Sequence, residues 1–208
     1  VTYRSGRGKG DGAWIPVLDI IDALDAAFYL SFGSVVPANK RMLLALDVSG
    51  SMGSGSVGGV VGMTPRIGSA AMALVTAATE PSTTILGFTT DITRLDVAGK
   101  RLDRVVSETG GLGFGGTDCA QPMLWAMQHK LEVDTFVVYT DSETWAGNVH
   151  PAQALEQYRE AHGIPAKLIV VGMTSNGFTI ANPDDAGMLD VVGFDTSTPL
   201  VLSDFARA

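Results

Sequence analysis

Hydrophobic positions follow two rhythms along this chain, and the changes of rhythm predict its elements. After Pro16, apolar residues Val17, Ile20, Ile21, Leu24, Ala27 and Phe28 recur at helical spacing, with Asp19, Asp22 and Asp25 on the other side, so a helix is expected there. Pro16 suits a first helical turn, where its missing N–H has no helical partner. A loop from Gly33 to Lys40 leads into the continuous apolar run Met42-Leu43-Leu44-Ala45-Leu46. Such a run is too short for a helix and fits a strand covered on both faces.

A Gly/Ser stretch from Gly50 to Gly62 follows, then Thr64-Pro65 as N-cap and first residue of a helix through Ala70, Leu74 and Ala78. Residues 83–88 read as a strand, with 92–97 returning beside it across a turn. Helices are expected over 102–107, 121–131, 151–161 and 200–206. Further strands are expected over 135–139 and 167–171. Strands alternating with helices of about ten to fifteen residues imply an α/β fold, a mostly parallel central sheet with helices on both faces.

Composition narrows the class. At 208 residues, 46% hydrophobic, the chain is one domain by length and too apolar for disorder. Residues 1–40 read as a linker plus a helix packed on the domain, and residues 41–208 as the domain itself. The formal charge of -8 excludes a stand-alone nucleic-acid binder held by its own basic surface. One cysteine, Cys119, excludes an internal disulfide and a Cys-rich zinc site, and points to a reducing, cytoplasmic compartment. No apolar run approaches the ~18 residues of a membrane span. The chain opens at Val1 without Met, in a basic Gly-rich stretch with Arg4, Arg7 and Lys9, and reads as a solvated linker cut from a longer protein.

Candidate chemistry collects after the strands, where open α/β sheets gather ligands. Asp47, Ser49 and Ser51 follow the first strand at i, i+2, i+4, so in an extended segment their oxygens point the same way. Gly116-Thr117-Asp118 lies in a Gly-rich loop, and Thr140-Asp141-Ser142-Glu143 follows the strand over 135–139. Oxygen donors without imidazole or thiolate suit Mg²⁺, Ca²⁺ or Mn²⁺. Asp47, Ser49, Ser51, Thr117 and Asp141 are the expected ligands, with Asp118 and Glu143 supporting them from behind. Two carboxylates roughly neutralise a dication and leave a position open for an acidic group from a partner. The plain alternative is a turn in which Asp47 caps backbone N–H groups.

Other signals point elsewhere less well. Gly53-Ser54-Gly55-Ser56-Val57-Gly58 matches GxGxxG, but it does not join a strand end directly to a helix start, so it reads as a loop. A phosphoryl-transfer enzyme would use Asp47 as nucleophile, Asp141 on Mg²⁺, and Lys100 or Lys167 on the phosphate. It lacks a second carboxylate at Ser49. Cys119 reads as a small buried hydrophobe, and His150 as a helix start.

Asp47-Val48-Ser49-Gly50-Ser51, with Gly116-Thr117-Asp118 and Thr140-Asp141, resembles the metal-ion-dependent adhesion site of von Willebrand factor A (vWA) domains. The resemblance implies a doubly wound sheet flanked by helices, with an antiparallel edge strand, and a magnesium-type ion that binds a partner's acidic side chain. Residues 23–29, 140–147, 149–151, 164–170, 173–180 and 183–185 further resemble the C-terminal domain of the Ro ribonucleoprotein (TROVE-module) family and its bacterial counterparts. That resemblance implies an N-terminal ring of helical repeats elsewhere in the protein, Y RNA and misfolded noncoding RNA bound by that ring, and a role in RNA quality control and stress response. It implies a binding module rather than an enzyme.

Overall fold

The computed structural model describes residues 1–112, 115–141, 144, 146–174, 180–193 and 195–208. Its centre is a six-stranded sheet of order β3-β2-β1-β4-β5-β6. The strands are β1 (Arg41–Asp47), β2 (Ser82–Phe88), β3 (Ile92–Arg94), β4 (Thr135–Thr140), β5 (Lys167–Gly172) and β6 (Met188–Val192). All neighbours pair in parallel except β2 and β3, where Phe88 faces Ile92 in an antiparallel pair at the sheet edge.

The helices are α1 (Thr2–Ser5), α2 (Leu18–Leu30), α3 (Pro65–Thr79), α4 (Leu102–Gly110), α5 (Gln121–Gln128), α6 (Pro151–His162) and α7 (Thr198–Arg207). Among the described residues none is long and apolar enough to cross a membrane.

The apolar runs seen in the sequence are divided by the pleat between two cores. Met42, Leu44 and Leu46 enter one, together with Val137, Tyr139, Ile169 and Val171. Leu43 and Ala45 enter the other, with Phe136, Val138, Leu168 and Val170. Helices α3 and α7 cover the first face, and α5 and α6 the second. A strand buried on both sides has no polar alternation, which is why these segments are nearly pure Leu, Val and Ala.

Several expectations need correction. Helix α2 starts at Leu18 with Val17 as its cap residue, so Pro16 lies before the helix rather than in its first turn. None of its residues is fully buried, and Leu24 is 52% exposed, so it lies on the periphery. It is fastened at one end, where Phe28, Tyr29 and Phe32 stack edge to face and the Tyr29 hydroxyl accepts from Leu102 N–H at 2.8 Å. Helix α5 stops at Gln128, and Lys130 turns into the left-handed region (φ 52°). Strand β3 ends at Arg94 rather than continuing to Val97.

Strand β6 has no forecast at all. The basic start is not simply solvated: Arg4 pairs with Asp103 at 3.0 Å and Thr2 donates to Val61 O at 2.8 Å.

One ion pair fixes the far side of the sheet. Arg159 on α6 donates to Asp185 at 2.5 Å and to Ala166 O at 2.8 Å, while Asp185 also accepts from Gly187 N–H at 2.7 Å. Both side chains are about three-quarters covered. The hydrogen bond from Arg159 lowers the Asp185 pKa below its ordinary 3.8. A carboxylate with a lowered folded pKa contributes stability above its unfolded pKa and loses it as the pH falls. Asp185→Asn is therefore expected to cost about 2 kcal/mol near neutral pH. Thermal unfolding should show that difference shrinking as the pH falls through the ordinary carboxylate range and below it, toward the lowered folded pKa of Asp185.

Candidate metal centre

The sheet order places β2 on one side of β1 and β4 on the other, so the winding order reverses at β1/β4, the place where parallel sheets of this kind leave a crevice at the carboxyl ends of the strands. Asp47, the last residue of β1, faces that crevice. It stands opposite Phe88 in β2, and the preceding Leu46 stands opposite Tyr139 in β4. Its side chain is 1% exposed. One carboxylate oxygen accepts from Ser49 N–H at 2.8 Å, and the other accepts from the Thr140 hydroxyl at 2.9 Å. The first bond bends the chain out of the strand into a 3₁₀ turn over Gly50–Gly53. It leaves the Ser49 and Ser51 hydroxyls 3.1 Å apart.

The second loop is tied to the end of β2, where Asp118 N–H donates to Thr89 O at 3.2 Å. Thr117 is buried, and its carbonyl accepts from Ala146 N–H at 3.1 Å and from the Thr144 hydroxyl at 3.3 Å. The loop over 115–118 is thereby fastened to the segment after β4. A Cβ on Gly116 would lie 2.9 Å from that of Ala146.

Asp141, the third carrier, follows β4 and is half-buried, with its carbonyl accepting from Thr174 at 3.3 Å. Asp118 turns to the start of α5, accepting from Ala120 N–H at 3.1 Å and from Gln121 at 2.9 Å. It also packs against Gly147, whose φ of +89° suits glycine. Glu143 lies outside the described residues.

The charges of this crevice are unbalanced. Burial raises the Asp47 pKa, the Ser49 and Thr140 hydrogen bonds oppose that rise, and the nearby Asp141 carboxylate adds to it. No cationic group is among the main influences on it. Burial and the Asp47 charge likewise push the Cys119 thiol far above its usual range, so it stays protonated, a buried thiol beside the site.

A His/Cys/Asp/Glu cluster of three or more that could hold a metal is absent among the described residues. The site's donors are instead two carboxylates and several hydroxyls. This mixture fits a hard cation that keeps some water.

The lysines required for phosphoryl transfer are elsewhere. Lys167 opens β5, at the opposite edge of the parallel sheet from Asp47, and donates to Phe205 O at 2.8 Å. Lys100 is paired with Glu108 at 3.0 Å. The GxGxxG stretch is a loop, and α3 begins only at Pro65 under a Thr64 cap. His150 caps α6, its ring nitrogen accepting from Ala152 N–H at 3.3 Å.

Three residues of the site escaped sequence reasoning. Thr140 holds Asp47, Thr144 holds Thr117, and Arg66 donates to Ser49 O at 3.0 Å. Arg66 carried a usable sign: a cation in the first turn of a helix opposes the helix dipole and so implies a local acceptor.

With this geometry in place, comparison with known proteins is informative. The family described as the Ro60 vWA domain matches residues 41–206. An RNA-binding protein RO60 from Deinococcus radiodurans is 52% identical over 209 residues, covering all of this chain and 39% of that protein. One from Caenorhabditis elegans is 42% identical, covering 98% of this chain and 32% of that protein. The chain thus spans about two-fifths or less of the length of these relatives.

The crystal structure of the D. radiodurans Ro (RSR) protein matches with a TM-score of 0.89 over 99% of this chain and 42% of that one. Proximal thread matrix protein 1 of the mussel byssus shares the fold alone, with 11% identity and a TM-score of 0.56 over 83% of this chain and 48% of that one. By sequence and by fold, this chain belongs to the Ro60 vWA domain family.

Proposed function

We propose that this chain is the divalent-cation-dependent, protein-binding module of a Ro60-type RNA-binding protein. Asp47, Ser49, Ser51, Thr117 and Asp141 hold the ion, directly or through water, and Asp118 and Glu143 support them. The observation that carries this reading is Asp47: a carboxylate 1% exposed at the carboxyl end of β1, with two hydrogen-bond donors and no ion pair among the described residues. A buried charge of this kind is costly unless paired or coordinated.

Two carboxylates against a dication leave the ion close to neutral and incompletely wrapped, so an aspartate or glutamate from a partner completes it. Magnesium fits best, because it keeps several waters and uses one or two carboxylates. Manganese or calcium would fit the same donors.

The relatives carry the name RNA-binding protein. In our reading, Y RNA and misfolded noncoding RNA are bound by the full-length protein, chiefly by an N-terminal ring of helical repeats. A chain of net charge -8 is poorly suited to be that platform. In this reading the module is not a catalyst: among the described residues Lys167 and Lys100 are engaged elsewhere, with Phe205 O and Glu108. A cytoplasmic setting accords with a single, buried cysteine.

Calorimetric titration with Mn²⁺ or Mg²⁺ tests this reading. Wild type should bind one ion, and Asp47→Ala should bind none while still unfolding cooperatively; no binding by wild type would end the proposal. Thr117→Ala is expected to weaken binding by about tenfold or more.

Protons compete with the ion for a carboxylate whose pKa is raised. Affinity should therefore hold at high pH and fall by up to about tenfold per unit once the pH drops below the folded pKa of Asp47. A flat pH profile would remove Asp47 from the ligand set.

A further inference from the structure

Arg66 is the second residue of α3, directly behind the loop that carries Ser49 and Ser51. Its guanidinium donates to the Ser49 carbonyl at 3.0 Å. The same group lies between two glycines: a Cβ on Gly53 would stand 3.0 Å from its Nη1, and one on Gly110 would stand 3.4 Å away. Gly53 ends the 3₁₀ turn of the Asp47–Ser51 loop, and Gly110 is the last residue of α4. From Gly110 the chain runs on to Thr117.

One planar side chain therefore stands at the base of the first oxygen-bearing loop and beside the carboxyl end of α4. Among the described residues its Nε–H is buried with no acceptor, so the side chain is held there despite an unfavourable polar group.

These contacts share a geometry. Arg offers five donors in a rigid fork, so it can fix two segments at a set separation where a lysine ammonium cannot. Its location at the positive end of α3 is unfavourable, whereas the carbonyl end of α4 welcomes a cation. The glycines at 53 and 110 leave the space the fork occupies.

We infer that Arg66 is a positioning residue: it holds the Ser49–Ser51 loop at a set place against α3 and the end of α4, and so tunes the affinity of the metal centre. This inference rests on the metal reading above and adds to it a residue that makes no contact with the ion.

Positioning and simple electrostatics predict opposite signs. Removing a positive charge beside a dication strengthens binding if only Coulomb forces act. Loss of a side chain that orients the ligands weakens binding, by about tenfold or more.

The experiment is calorimetric titration of the 208-residue chain with Mn²⁺, alongside amide exchange of residues 51–54 in chelator. Arg66→Gln and Arg66→Lys are each expected to bind about tenfold more weakly than wild type, with faster exchange in the loop. Equal or tighter binding by Arg66→Gln, or full affinity in Arg66→Lys, overturns the inference. Failure of wild type to bind Mn²⁺ overturns the metal reading instead.

Should Arg66→Gln not fold, Gly53→Ala keeps the arginine but pushes its Nη1 aside, at a position whose φ is not positive. It should weaken Mn²⁺ binding with near-wild-type thermal stability, and an unchanged affinity would overturn the assignment of Arg66.

Discussion

A carboxylate removed from water at the end of the central strand is the constraint around which this domain is arranged. Asp47 sits where β1 emerges between β2 and β4, 1% exposed, gripped by Ser49 N–H and Thr140 hydroxyl. Those two bonds offset only part of its desolvation, and Asp141 beside it makes the charge harder to bear. A buried charge with no ion-pair partner among the described residues is a standing attraction for a cation. The proposed function follows from that imbalance more than from any single motif.

The sheet makes this placement possible. Strand β1 is buried on both faces, its odd and even positions feeding separate cores, so the position of its last residue is fixed from two sides at once. Interiors packed to crystal-like density transmit such constraints with little slack. The loops are then tied down by main-chain bonds, Asp118 N–H to Thr89 O and Ala146 N–H to Thr117 O, and by the Arg66 side chain donating to Ser49 O. A site built from three separated segments needs this kind of fastening, because a misplacement of one ångström is costly to any coordinated group.

The sequence disclosed the parts that depend on composition over a few residues. Strands β1, β4 and β5 were legible because a doubly covered strand is a short, mostly apolar run, and β2 because Thr83 to Phe88 is rich in β-branched and apolar residues. Asp47 and Asp141 were legible as candidates because they stand at the ends of β1 and β4, and Thr117 because it lies in a Gly-rich loop. What stayed hidden depends on distant partners. Strand β6 is five residues with Asp190 in the middle, and nothing local separates it from a loop; pairing with β5 makes it a strand.

Helix α2 has an apolar stripe that reads as buried, yet its position beyond α3 and α4 leaves that stripe partly open. Thr140 closes an apolar strand beside Asp141, but its role appears only once β4 is paired with β1. The roles of Thr144 and Arg66 likewise arise from contacts across the fold.

The most direct test of the central claim is a crystal structure of this chain grown with Mn²⁺ and read by anomalous scattering. The account predicts one peak in the crevice at the ends of β1 and β4, about 2.1 Å from oxygens of Ser49, Ser51 and Thr117, with Asp47 and Asp141 bound to it directly or through water. A crevice without a peak, or an ion seated away from these residues, would contradict it.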